Sequence, residues 1–202
     1  MKISKIMQIM KQDKCIIMHN ERWKEGENPV FGGNQWGGNG AALYNLEGVP
    51  EIKSRDEFGM LYDIKESKRV EYYFDLRPMP ELFDMADYAE GEEMADRMKT
   101  TVGFEDRVLC AVRGENGTIL FVNSRYLEPF RGEEGVEYII RDGEHGKYLC
   151  IRQEMELKAV IMPVIIRGKS KNYRILNEIQ MIWREMNHQI EEQETQELEK
   201  ES

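Results

Sequence analysis

The chain has 202 residues, a net charge of -10 and 33% charged residues, above the ~25% usual for soluble domains. A length near 200 suits one domain with appendages, and at that size a core forms without disulfide or metal staples. Mean hydropathy is -0.64, and the longest apolar run, Ala159 to Ile166, is far short of the ~20 residues of a membrane span. Met1 to Met10 is amphipathic, with Lys2 and Lys5 and no uninterrupted apolar stretch, so no secretory leader is expected. Cys15, Cys110 and Cys150 are odd in number and set in apolar runs, as reduced core thiols of a cytoplasmic protein are. Secreted, membrane and disulfide-framework classes are excluded on these grounds.

In chain order, Ile3, Ile6, Met7 and Met10 fall at helical spacing, so residues 3–12 read as a short amphipathic helix. Its opposite face carries Ser4, Lys5, Gln8, Lys11 and Gln12 and no acid. Cys15 to Met18 suits a strand. Residues 20–40 are polar and end in a glycine-rich stretch, read as a flexible hairpin loop anchored by Trp36. Ala41 to Leu46 is a strand closed by Gly48-Val49-Pro50. Asp56 to Asp63 has helical spacing, and Val70 to Leu76 is a strand stopped by Pro78 and Pro80.

Residues 84–96 hold six acids and no base, and residues 191–202 hold six Glu and one Lys. Without these two blocks, of -6 and -5, the rest of the chain carries +1. Both read as solvated appendages, the first a loop or a surface helix within an insertion at 84–99. Arg107 to Arg113 and Thr118 to Val122 flank Gly114-Glu115-Asn116-Gly117, a hairpin signal. Asn123 or Ser124 caps a short helix through Phe130. Val136 to Arg141, Tyr148 to Arg152 and Leu157 to Ile166 are three further strands. Finally, Leu176, Ile179, Trp183, Met186 and Ile190 recur at 3-4 spacing, which predicts a helix from about 172 to 192. It either packs on its own domain or pairs with another chain, followed by an acidic tail at 193–202.

Catalytic signals are missing. The glycine-rich stretch lacks the spacing of a phosphate or dinucleotide loop. His19, His145 and His188 are far apart, with no second ligand at metal spacing. Cys15 and Cys110 sit in strands that read as buried, and Cys150, two residues before Arg152, has His145 near it only across a hairpin, so no nucleophile is expected. No enzyme, cofactor or metal is expected. One internal echo exists: helix then strand at 3–18 and again at 124–140, each followed by an Ala-led strand, Ala42 to Leu46 and Ala159 to Pro163. Two copies of a helix-plus-strands unit make an α+β domain.

Phe121-Val-Asn-Ser-Arg-Tyr-Leu127, then Val136 to Ile140, Lys147 to Arg152 and Leu157 to Ile166, resemble the closing half-domain of bacterial sliding clamps, the beta subunits of the replicative polymerase. Asn123, Arg125, Tyr126, Leu127, Ile161, Met162 and Pro163 match in order, and the resemblance covers about a quarter of the chain. The chain is also similar to proteins carried by phages and mobile elements. The resemblance implies an α+β, clamp-like domain over 1–168, of two βαβββ half-units (about 1–76 and 105–168). Helices would lie on one face of a curved antiparallel sheet, with a separate helix at 169–192. It further implies DNA association in replication, with Lys5, Lys11, Arg125 and Arg131 facing phosphates without reading sequence. The chain departs from the family in lacking a strand before its first helix, in Pro129, and in holding one domain where a ring chain holds several. The alternative is an adaptor that binds a replication protein, or a second copy, through the 172–192 helix and has no DNA contact.

Overall fold

The computed structural model describes residues 1–23, 32–104 and 106–164. The chain divides into two compact units, Met1–Pro163 and Val164–Ser202. The helix expected at 172–192, with Leu176, Ile179, Trp183, Met186 and Ile190, and the acidic tail lie outside the described residues.

The first unit is mixed α and β, built on one ten-stranded sheet. In chain order come α1 (Ile3–Asp13), β1 (Cys15–Asn20), β2 (Gln35–Gly38) and β3 (Ala42–Asn45). Then follow α2 (Arg55–Leu61), α3 (Glu66–Arg69), β4 (Tyr73–Pro78), β5 (Glu93–Phe104), β6 (Arg107–Gly114) and β7 (Ile119–Asn123). A 3₁₀ helix, Ser124–Phe130, leads into β8 (Val136–Gly143), β9 (Gly146–Gln153) and β10 (Glu156–Ile161). The sheet order is β4-β1-β2-β3-β10-β9-β8-β5-β6-β7.

Six adjacent strands, β1-β2-β3-β10-β9-β8, run in palindromic order. A helix followed by the antiparallel meander β1-β2-β3 meets a second helix followed by β8-β9-β10, and the meanders join at their last strands. Leu43 lies opposite Val160 at the middle of that seam, flanked by Ala42–Ile161 and Tyr44–Ala159. The two Ala-led strands of the sequence echo are therefore direct partners. Both helices cover one sheet face: Ile6 and Met10 of α1 and Leu127 and Phe130 of the 3₁₀ helix share a core with Ile16, Tyr44, Leu149 and Ile161. The chain fastens them end to end, Lys2 N–H donating to Pro129 C=O at 2.7 Å.

Several expectations need correction. The sheet is not wholly antiparallel, since β4 runs parallel to β1, and α3 gave no clear signal in sequence. The second helix is 3₁₀, because Pro129 inside it supplies no N–H for an α-helical bond; Asn123 caps it by accepting from Arg125 N–H at 3.3 Å. The last strand stops at Ile161. The strand expected at 70–76 spans Tyr73–Pro78, with Pro78 closing it at an outer edge of the sheet. On that strand Asp75 accepts hydrogen bonds from Tyr73 OH (3.0 Å) and Arg77 (2.6 Å).

Two corrections concern whole elements. Residues 35–38 of the glycine-rich stretch are a fully buried strand, not a loop. Glycine is required there by close approach: a Cβ on Gly38 would land on the Ala42 carbonyl, and one on Gly37 would strike Leu46 and Met18. The second part of the expected 84–99 insertion is also integral, because residues 93–104 form β5, paired with both β6 and β8. Glu93 is 5% exposed; its carboxylate accepts from Asn116 N–H at 2.8 Å and fills the space left by the missing side chain of Gly114.

Gly38→Ala should cost about 3 kcal/mol by overpacking between backbones. Gly48→Ala, at φ +76° with open space around it, should cost only about 1 kcal/mol through strain. Urea unfolding of the two variants checks the order.

Candidate functional site

Lys5 and Lys11 are carried by α1, whose apolar side is buried and whose other side is wet. Lys5 is exposed, its Nζ reaching only Gln8 at 3.4 Å. Lys11 is partly buried, donating to Tyr62 C=O at 3.0 Å. Among the described residues no carboxylate lies within 4 Å of either amine. Beside them an open, apolar groove of about 590 Å³ runs between α1 and Tyr62, floored by Ile3 and Met7.

The 3₁₀ helix supplies the two arginines, and they differ. Arg131 is largely exposed, with Glu128 one turn away at 3.4 Å. Arg125 donates to Asp13 at 2.7 Å and to Tyr126 OH at 3.1 Å. Asn39, on the β2–β3 turn, joins the same knot through Asp13 and Tyr126. Arg125 therefore ties the end of α1 to the second helix, and its charge is compensated. Asp13 is the acid that the face composition of α1 did not reveal. Lys5 and Lys11 remain without a carboxylate partner, and Arg131, at the end of the 3₁₀ helix, holds only an exposed pair with Glu128, which an external anion can replace at little cost.

The opposite sheet face is covered by chain without regular structure, a strap over residues 79–92. Phe83 packs edge-on against Tyr148 at 5.1 Å, and Met79 and Met85 join a second core with Trp36, Leu43, Cys150 and Val160. Arg141, on β8, is 2% exposed and uses all five guanidinium N–H groups. It donates to the carbonyls of Asp84 (3.0 Å), Ala86 (2.7 Å) and Asp87 (3.0 Å), and twice to Glu92. Arg152 on β9 donates to the other Glu92 oxygen at 2.7 Å and to Glu137 at 2.6 Å, under the ring of Tyr88. The Asp87 carboxylate accepts from Leu157 N–H at 2.8 Å. This segment is a fastened cover and not a free appendage, although Asp84, Asp87 and Glu90 are exposed, as its composition predicts.

Two of the thiols are held protonated. Burial pushes Cys150 up to about 12 and raises Cys15 as well, so neither holds thiolate near neutrality. Among the described residues no group of three or more His, Cys, Asp or Glu could hold a metal, and no helix is long and apolar enough to cross a membrane. No protein-family model matches the chain, and no curated protein and no solved structure is significantly similar to it.

Arg141→Met should cost about 3–5 kcal/mol, since it strands Glu92 and three strap carbonyls inside; chemical denaturation measures the loss. Burial raises the Glu92 carboxyl, but the bonds from Arg152 and Arg141 outweigh it, leaving it below its ordinary 4.5. A carboxyl depressed in the folded state stabilises above its unfolded value and loses that contribution as pH falls through the folded one. Parent stability should therefore decline below about pH 4.5, and Glu92→Gln should flatten that part of the profile. In native protein Cys110 and Cys150 should resist alkylation at pH 8, with Cys15 the faster of the described thiols.

Proposed function

We propose that the first unit is a clamp-like domain that associates with duplex DNA by its helical side, contacting phosphates without reading bases. The observation that carries this reading is the palindromic six-strand arrangement with both helices on one face. It supports the duplication that the sliding-clamp resemblance implies, though each repeat is a helix with three strands and the first lacks a strand before its helix. The cations in this reading are Lys5 and Lys11 of α1 and Arg131 after the second helix. Arg125 takes a positioning part here, holding the second helix against α1 through Asp13. No group in the reading performs covalent chemistry.

Magnitude limits the mode of action. Each neutralised phosphate adds about -0.9 to the slope of log affinity against log salt. Three cations per copy thus give a slope near -3, against the 6–10 contacts typical of strong non-specific binders. One copy would hold DNA weakly, and useful residence requires several copies whose contacts add through effective concentration. The net charge of -10 opposes association of the chain as a whole, so contact with DNA depends on this local set of cations.

Retention of duplex DNA at low and moderate salt tests the reading. The full chain should bind with a slope of about -3, and Lys5→Glu with Lys11→Glu and Arg131→Glu should abolish binding at moderate salt. Light scattering should show more than one copy per DNA. Equal retention of the charge-reversed variant, or no retention of the parent at low salt, would sink the proposal.

A further inference from the structure

On the face opposite the helices, a cavity of about 290 Å³ opens between the sheet and the strap. Ile17, Leu43 and Val160 form its floor and Leu82, Phe83 and Met162 its walls. A cavity of ~150 Å³ accepts benzene, so this one has room for a fused bicyclic ring. Its walls are apolar, and two polar side chains, His19 and Arg77, reach it.

These two define what the cavity would take. Arg77 is turned to Asp75 and Tyr73 OH, at 2.6 and 3.4 Å, so its charge is already answered and an anionic ligand gains little from it. His19 Nδ1 lies 2.6 Å from the carbonyl oxygen of Pro78. That oxygen only accepts, so Nδ1 carries the proton and Nε2 of the neutral ring is a lone-pair acceptor. Burial, opposed in part by the Pro78 bond, lowers the affinity of His19 for a second proton.

We propose that this cavity is a binding site for a small, uncharged bicyclic aromatic molecule bearing one N–H donor, of the indole class, with His19 Nε2 accepting that hydrogen bond. Ligand sites commonly have this composition, an apolar enclosure with one or two placed polar groups that fix orientation. Here the ring would lie between Phe83 of the strap and Leu43 and Val160 at the seam. The site is independent of the helical face and of any DNA association.

The probe is indole, compared with indene, which has the same shape and no N–H. Titrated into the full chain, indole should raise the thermal midpoint saturably and shift the His19 ring resonances. Indene should bind about tenfold more weakly, the worth of one hydrogen bond. Ile17→Trp, at a partly exposed position on the cavity floor, should abolish the response by filling the space. His19→Phe should lower indole affinity to that of indene and leave indene unchanged. Equal affinity for the two probes, an absence of saturable stabilisation, or undiminished indole binding by Ile17→Trp would each overturn the assignment. The first two outcomes are read on the parent chain, so the test stands even if a variant fails to fold.

Discussion

A ten-stranded sheet has two faces to withdraw from water, and the described helices cover only one of them. The other is covered by polypeptide with no ladder of its own, whose carbonyls lose water on burial and need donors. Arg141 meets that demand. One guanidinium supplies five directed N–H groups from a regular strand, and three of them go to backbone oxygens of the strap. Glu92 then balances its charge and that of Arg152. The second core, with Trp36, Leu43, Tyr148 and Val160, exists only under this cover. The charge cluster is thus a condition for a two-sided sheet, and its strength follows from having no unsatisfied member.

The same cluster explains why part of the fold was legible from sequence and part was not. Hairpins at 114–117 and 142–146 announce themselves by glycine in turns between β-rich runs, and α1 by the spacing of Ile6, Met7 and Met10. The strap and β5 gave the opposite signal. Six acids in thirteen residues read as a wet surface, which Asp84, Asp87, Glu90 and Asp96 are, but composition does not show that two arginines about fifty and sixty residues later hold Glu92 and the strap carbonyls. In β5 the register shift between Arg97 and Thr101 also breaks the alternation by which strands are recognised. Gly37 and Gly38 look like loop residues until Ala42 and Leu46 are seen against them. Parity was available as a clue. Arg141 shares its face with buried Ile139, and Arg152 with Tyr148 and Cys150, which marks both as inward-facing charges in need of partners.

For the candidate surface, sequence identified which side of α1 is wet but not which cations are occupied. Arg125 matches the clamp motif in place and type, yet its guanidinium is directed to Asp13, a residue 112 positions away. Only tertiary structure separates a cation that fastens the fold from one that is left for an external anion. His19 was passed over for a related reason: a lone histidine in an apolar strand carries no signal until its Nδ1 partner fixes the tautomer. The two faces of the sheet consequently differ in kind, one offering amines and a guanidinium, the other an enclosed apolar space.

The outermost strand β4 bears on how copies of the chain would assemble. It joins its neighbour in parallel, and it is tipped by Pro78, which has no proton to give to an incoming chain. Tyr73, Asp75 and Arg77 form a polar ladder along its exposed side, with Arg77 and Tyr73 both satisfied by Asp75. Such a margin resists annealing to a foreign strand. At this border the ladder of the described strands is finished: copies of the chain brought together here would not fuse into a continuous β-structure, and contact along β4 has to be made by side chains.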